Sequence, residues 1–87
     1  MFTVYVLFSE RYRKIYIGYT SNLEQRFLSH NELSKKGHTK RYRPWIIAFT
    51  EEYQDKSEAL LREKFLKSGK GREYVWAKIR ELGLISA

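Results

Sequence analysis

The first residues alternate. Phe2, Val4, Val6 and Phe8 take turns with Thr3, Tyr5 and Leu7, which predicts a strand over residues 2–8. Both of its faces are largely apolar, so the strand belongs inside a sheet. Residues 9–14 are a polar, charged connection, and residues 15–20 form a second β-branched and aromatic strand interrupted by Gly18. Two strands joined this closely read as an antiparallel hairpin. A helix then starts at Ser21, which stands at capping-box spacing from Glu24. Its apolar positions are Leu23, Phe27 and Leu28, and the pattern runs to about Glu32. Residues 33–44 form a basic loop closed by Pro44, which pushes Arg43 towards an extended conformation. Residues 45–53 read as a third strand. A second helix over 56–67 can be capped by Asp55 or Ser57. It ends at a Ser68-Gly69-Lys70-Gly71 break with C-cap character at Gly69. A third helix covers 72–82 and stops at Gly83. The expected fold is α+β, in the order ββαβαα, with a three-stranded antiparallel sheet flanked by helices.

Composition narrows the classes. At 87 residues the chain is expected to be one domain, and with no cysteine it has neither disulfides nor a thiolate metal site. Hydrophobic residues at 43% and aromatics at 16% supply a core and exclude a disordered chain. No apolar run approaches the ~20 residues of a membrane span. The start of the chain has no signal-like pattern, so no membrane association and a cytoplasmic location are expected. The formal charge of +7 favours a polyanionic partner, nucleic acid above all. Solubility alone is the bland alternative.

Several residues stand out against this frame. Tyr5 and Tyr16 lie on adjacent strands, and Tyr16 shares its face with Gly18. A suitable register would turn both phenols and a bare glycine surface the same way. Otherwise both are ordinary strand aromatics. Arg26 and His30 are an i,i+4 pair on the first helix, able to serve as phosphate ligand and proton handler or simply as a solvated pair. Glu63 borders the apolar stripe of the second helix. It calls for a metal, a donor or a salt bridge to Lys67 at i+4. The loop cations Lys35, Lys36, Lys40, Arg41 and Arg43 interleave with Tyr42 and Trp45, which suits phosphate contact plus base stacking in a mobile segment. Lys64, Lys67, Lys70 and Arg72 form a second basic cluster.

These residues occur in an order that resembles a known family. Thr3-Val4-Tyr5, ten residues, then Tyr16-Ile17-Gly18 is similar to the paired tripeptides of the GIY-YIG nuclease domain. The first tripeptide keeps only its tyrosine. The segment 19–31, with Arg26, His30 and Asn31, resembles the helix that carries the family arginine. Residues 57–67 resemble the helix with its metal-binding glutamate. His38-Thr39-Lys40 before Arg43-Pro44 is similar to a segment of small stand-alone members, the group compared with UvrC and YhbQ-like proteins.

The resemblance implies phosphodiester hydrolysis with one divalent ion, Mg2+ or Mn2+. Glu63 would hold the metal and Arg26 the phosphate. Tyr5 or Tyr16 would accept the proton of the attacking water, and His30 would assist. Gly18 would leave room for the substrate. Asn31, Lys35, Lys36, Thr39, Lys40, Arg41, Arg43 and Lys67 would bind the nucleic acid, DNA first. A second copy or a partner protein would add binding surface. Three functions compete: a metal-dependent structure-selective or non-specific endonuclease, a catalytically weak nucleic-acid-binding module, and a subunit that binds an acidic protein.

Overall fold

A computed structural model describes residues 1–33 and 38–85. Strand β1 (Phe2–Ser9) pairs antiparallel with β2 (Lys14–Thr20) on one side and β3 (Ile46–Tyr53) on the other. The sheet order is β2-β1-β3, so the strand with two apolar faces is the central one. Helix α1 (Leu23–Leu28) continues into a π-helical turn over Ser29–Leu33, and a short helix α2 (His38–Arg41) follows. Helices α3 (Lys56–Lys67) and α4 (Gly69–Glu81) close the chain. The α+β class and the three-stranded sheet are as the sequence predicts; α2 is an additional element inside the segment read as loop. No helix among the described residues is long and apolar enough to cross a membrane.

Register divides the sheet into two faces. Val6 lies opposite Ile17 and Phe8 opposite Ile15, and these side chains bury against Ala59 and Leu66 of α3 and Val75 and Ile79 of α4. Tyr5 lies opposite Gly18 and Leu7 opposite Tyr16, and this face packs with Trp45, Leu23, Phe27 and Tyr42. A bulge in β3 between the partners of Val6 and Leu7 adjusts the far edge.

Several boundaries differ from expectation. Asn22, not Ser21, caps α1, because its Oδ1 accepts from the Gln25 amide at 3.2 Å. Trp45 precedes β3 rather than beginning it. Ser68 is at once the C-cap of α3 and the N-cap of α4, so α4 starts at Gly69 rather than Arg72, and Gly69 caps nothing. The glycine that matters there is Gly71. A Cβ on it would collide with the Phe65 carbonyl oxygen, so its bareness lets the first turn of α4 cross the last turn of α3. Gly83 ends α4 at φ +77°. Its amide and that of Leu84 bond to Arg80 and Ile79, which is a Schellman closure.

Candidate active site

The register that sets Tyr5 opposite Gly18 also brings the two phenols together, with ring centroids 6.2 Å apart at 27°. Gly18 has a different task from the one expected of it. A Cβ there would meet the Tyr5 hydroxyl oxygen at 2.6 Å and the Tyr16 ring at 3.2 Å, so the glycine makes room for the phenols and not for substrate.

Helix α1 and its π-helical turn supply the other half. His30 is 5% exposed, and its Nε2 lies 2.9 Å from the Tyr5 hydroxyl. Its ring sits 4.5 Å from that of Tyr16. Arg26, one turn earlier, lies close enough to both phenols to act on them electrostatically. The imidazole tautomer sets which partner of the Tyr5–His30 bond donates. The histidine is held from behind. Arg43 donates to the carbonyls of His30 and Ser29, at 2.5 and 3.1 Å. The wider turn opens these carbonyls to a side chain.

Electrostatics follow from this packing. Burial pushes the Tyr5 phenol up to about 12; the neighbouring Arg26 opposes this, and the charges of Tyr16 and Glu63 add to it. Burial, with the cations Arg26 and Arg43 nearby, lowers His30 to about 4. At neutral pH the pair is therefore an un-ionised phenol and a neutral imidazole.

Glu63 belongs to α3, the helix that packs on the opposite, aliphatic face of the sheet, yet its charge is felt at the Tyr5 phenol. Its side chain is 16% exposed, and Lys67 Nζ lies 3.6 Å from Oε2, so the i,i+4 salt bridge is present. Lys67 also lines a cleft of about 210 Å³ with Ile15, Tyr16, Ile17 and Arg72, beside the edge strand β2. No three metal-ligating side chains gather among the described residues. A metal at Glu63 would have one protein carboxylate, a hard oxygen donor. That suits Mg2+ or Mn2+, which keep most of their water shell.

The residues expected to bind substrate separate into groups. Lys35 and Lys36 lie outside the described residues. Lys40 and Arg41 are exposed. Thr39 is buried at 7% exposure, and its carbonyl accepts the Trp45 indole N–H at 2.7 Å. Asn31 clamps the Trp45 backbone, accepting from its amide at 2.6 Å and donating to its carbonyl at 2.9 Å. Asn31 and Thr39 thus hold Trp45, and Arg43 holds the backbone at His30. Trp45, 1% exposed, is core and offers no surface for a base. Sequence reasoning missed the positioning role of Arg43, for which the sequence carries no local signal.

A phenol pair, an arginine and a histidine gather on one face of the three-stranded sheet. The chain belongs to the GIY-YIG family: the model of the GIY-YIG catalytic domain matches residues 1–75. It is similar to a UPF0213 protein of Staphylococcus haemolyticus, 39% identical over 54 residues, which are 62% of this chain and 66% of the relative. A UPF0213 protein of Staphylococcus saprophyticus is 37% identical over 54 residues, again 62% and 66%. One of Bacillus velezensis is 33% identical over 69 residues, 76% of this chain and 70% of the relative. The chain thus spans just under two thirds of the two staphylococcal relatives.

Proposed function

We propose that the protein is an endonuclease that hydrolyses phosphodiester bonds in DNA with one divalent metal ion, Mg2+ or Mn2+, held by Glu63. One observation carries this reading: the Tyr5 hydroxyl, the Tyr16 ring, the His30 imidazole and the Arg26 guanidinium meet at one place. When bound, the metal would neutralise charge on the scissile phosphate and its leaving oxygen. Arg26 is exposed beside the phenols, and its planar fork suits a phosphate oxygen whose charge grows in the transition state.

The phenols have different tasks. Moving the Tyr5 proton to His30 in the resting site is uphill by on the order of 10 kcal/mol, given values of about 12 and about 4. His30 therefore orients Tyr5 beside Arg26. Tyr16 is only partly buried and lines the cleft with Lys67 and Arg72, so it is the phenol that an attacking water can reach. Lys67 and Arg72 there, with the exposed Lys40 and Arg41, would contact the DNA backbone, and a second copy or another protein would extend that surface.

The test is cleavage of plain, branched and flapped duplexes with and without Mg2+ or Mn2+. Arg26→Ala is expected to lose roughly 10²–10³ in kcat, and Glu63→Gln to lose metal-dependent cleavage while staying folded. Full activity in purified Glu63→Gln would remove the metal role. Salt-dependent DNA binding by the wild type, without metal-dependent cleavage, would make the protein a binding module instead.

A further inference from the structure

The turn between β1 and β2 was read as a mere connection, yet it carries Arg11, Tyr12, Arg13 and Lys14 against one acid, Glu10. Tyr12 is 42% exposed. Its amide is tied to Ser9 Oγ at 3.4 Å, which fixes the turn beneath it. Its ring meets Tyr42 edge to face, with centroids 5.5 Å apart at 70°. Cations surround the two rings: Arg11 lies 5.5 Å from the Tyr12 centroid, and Lys14 and Arg41 lie 5.5 and 5.7 Å from that of Tyr42. The row does not stop there. Tyr42 contacts Trp45 at 6.5 Å and Trp45 contacts Tyr16 at 6.4 Å, so a continuous line of rings joins the turn to the candidate active site.

We propose that the β1–β2 turn is a platform for an unpaired DNA strand, with a base stacked on Tyr12 and phosphates drawn to Arg11, Arg13, Lys14 and Arg41. Two properties of the patch select this occupant. The excess of cations matches a phosphate backbone. The exposed ring offers a stacking surface, and only unpaired bases have free faces to stack on it; a duplex hides them. Arg13 adds a third argument. It holds φ 55°, the left-handed conformation that favours glycine, and a cation nonetheless occupies the tip. The inference deepens the nuclease reading and rests on it for one point: the packed rings of Tyr42 and Trp45 tie the turn to Tyr16, so a strand seated on Tyr12 lies at a fixed position relative to the candidate active site. The enzyme is then selective for duplexes with a single-stranded arm.

The experiment measures anisotropy of a labelled duplex with one splayed arm, and of the same duplex blunt-ended, in buffer with EDTA. The wild type should bind the splayed form about tenfold more tightly, the size of one base stacked on an aromatic ring. Tyr12→Ala should erase the preference and Tyr12→Phe should keep it, since stacking needs no hydroxyl. Lys14→Ala should weaken both forms and lower the slope of log affinity against log salt by about one. Equal affinity of the wild type for the two forms, or a preference that survives Tyr12→Ala, would overturn the platform. Adding Mn2+ to the same samples separates the two ideas. Preference without cleavage keeps the platform and removes the nuclease; cleavage without preference does the reverse.

Discussion

Alternate residues of β1 face two layers that are held by different forces. On the side of Val4, Val6 and Phe8 the contacts are aliphatic. Ala59, Leu66, Val75 and Ile79 are fully buried there, so α3 and α4 are fixed by area removed from water. On the side of Tyr5 and Leu7, α1 has no buried residue over Leu23–Leu28. That side adds directional bonds to a smaller core of Tyr5, Leu7 and Trp45: Tyr5 to His30, Arg43 to two carbonyls, and Asn31 and Thr39 to Trp45. An aliphatic layer tolerates small shifts, because dispersion and burial have no preferred direction. A hydrogen-bonded layer fixes angles and fails when one partner goes. The aliphatic face therefore supplies stability, and the polar face supplies an oriented set of groups on the same strand.

Leu66→Ala tests that division most severely. The side chain is fully buried in the aliphatic layer, and its truncation should cost about 2–5 kcal/mol. That is a large share of the stability of a small domain. Turnover per folded molecule should fall much less than stability, since Tyr5, Arg26 and His30 stand on the other face and only Glu63 and Lys67 share α3 with Leu66. Thermal unfolding and kcat on the same preparation measure both. A fall in kcat far beyond the unfolded fraction would show that the two faces are coupled.

A titration sharpens the same comparison, because His30 lies on the polar face alone. Its folded-state pKa is depressed to about 4 from 6.5. Above pH 6.5 neither state binds the proton. As pH falls from 6.5 towards 4 the unfolded chain takes up a proton that the folded protein refuses, so stability is lost over that window, by about 3 kcal/mol in all. Glu51 falls in a different range. Burial would raise its carboxyl, but bonds from Arg62 and Tyr53 hold it low, so its contribution disappears only below the ordinary carboxylate range. Chemical denaturation at pH 7 and pH 5 should show the His30 loss, and His30→Gln should remove it. An unchanged pH dependence in His30→Gln would mean that other groups carry it.

The split between the faces also explains what the sequence could reveal. Parity alone places Tyr5 and Tyr16 together, because a period of two needs only the register. The two apolar faces of residues 2–8 foretell a central strand, and Gly83 foretells the end of α4. The errors in the site depend on a partner distant in sequence. Gly18 looks like open surface until the Tyr5 ring is laid across it. Trp45 looks exposed among cations until Thr39 takes its N–H. Asn31 and Arg43 read as ligands for substrate until the carbonyls and amide they bind are in view. Ser21 and Asn22 are both good caps, and only geometry chooses between them. Tyr12 is legible as an aromatic set among three cations in a hairpin turn, but its contact with Tyr42 depends on the fold.

The smallest expected effect lies at the edge of both faces, in the turn. Arg13 at φ 55° places its Cβ close to the following carbonyl, a conformation that disfavours an L side chain by about 1–2 kcal/mol. Arg13→Gly relieves this contact but gives the unfolded chain more freedom. The net result should be a gain of up to about 1 kcal/mol, read as a rise of a few degrees in Tm. The same change removes one cation from the platform. Affinity for the splayed duplex should fall, with the salt slope lower by about one. The two readouts should move in opposite directions, which a merely structural arginine would not produce. If the glycine variant gained stability and bound DNA as well as wild type, the tip cation would have no part in binding, and Arg11, Lys14 and Arg41 would remain as the phosphate contacts. If it lost stability, the turn would be held by the arginine side chain itself, and the backbone conformation would be a consequence of that contact.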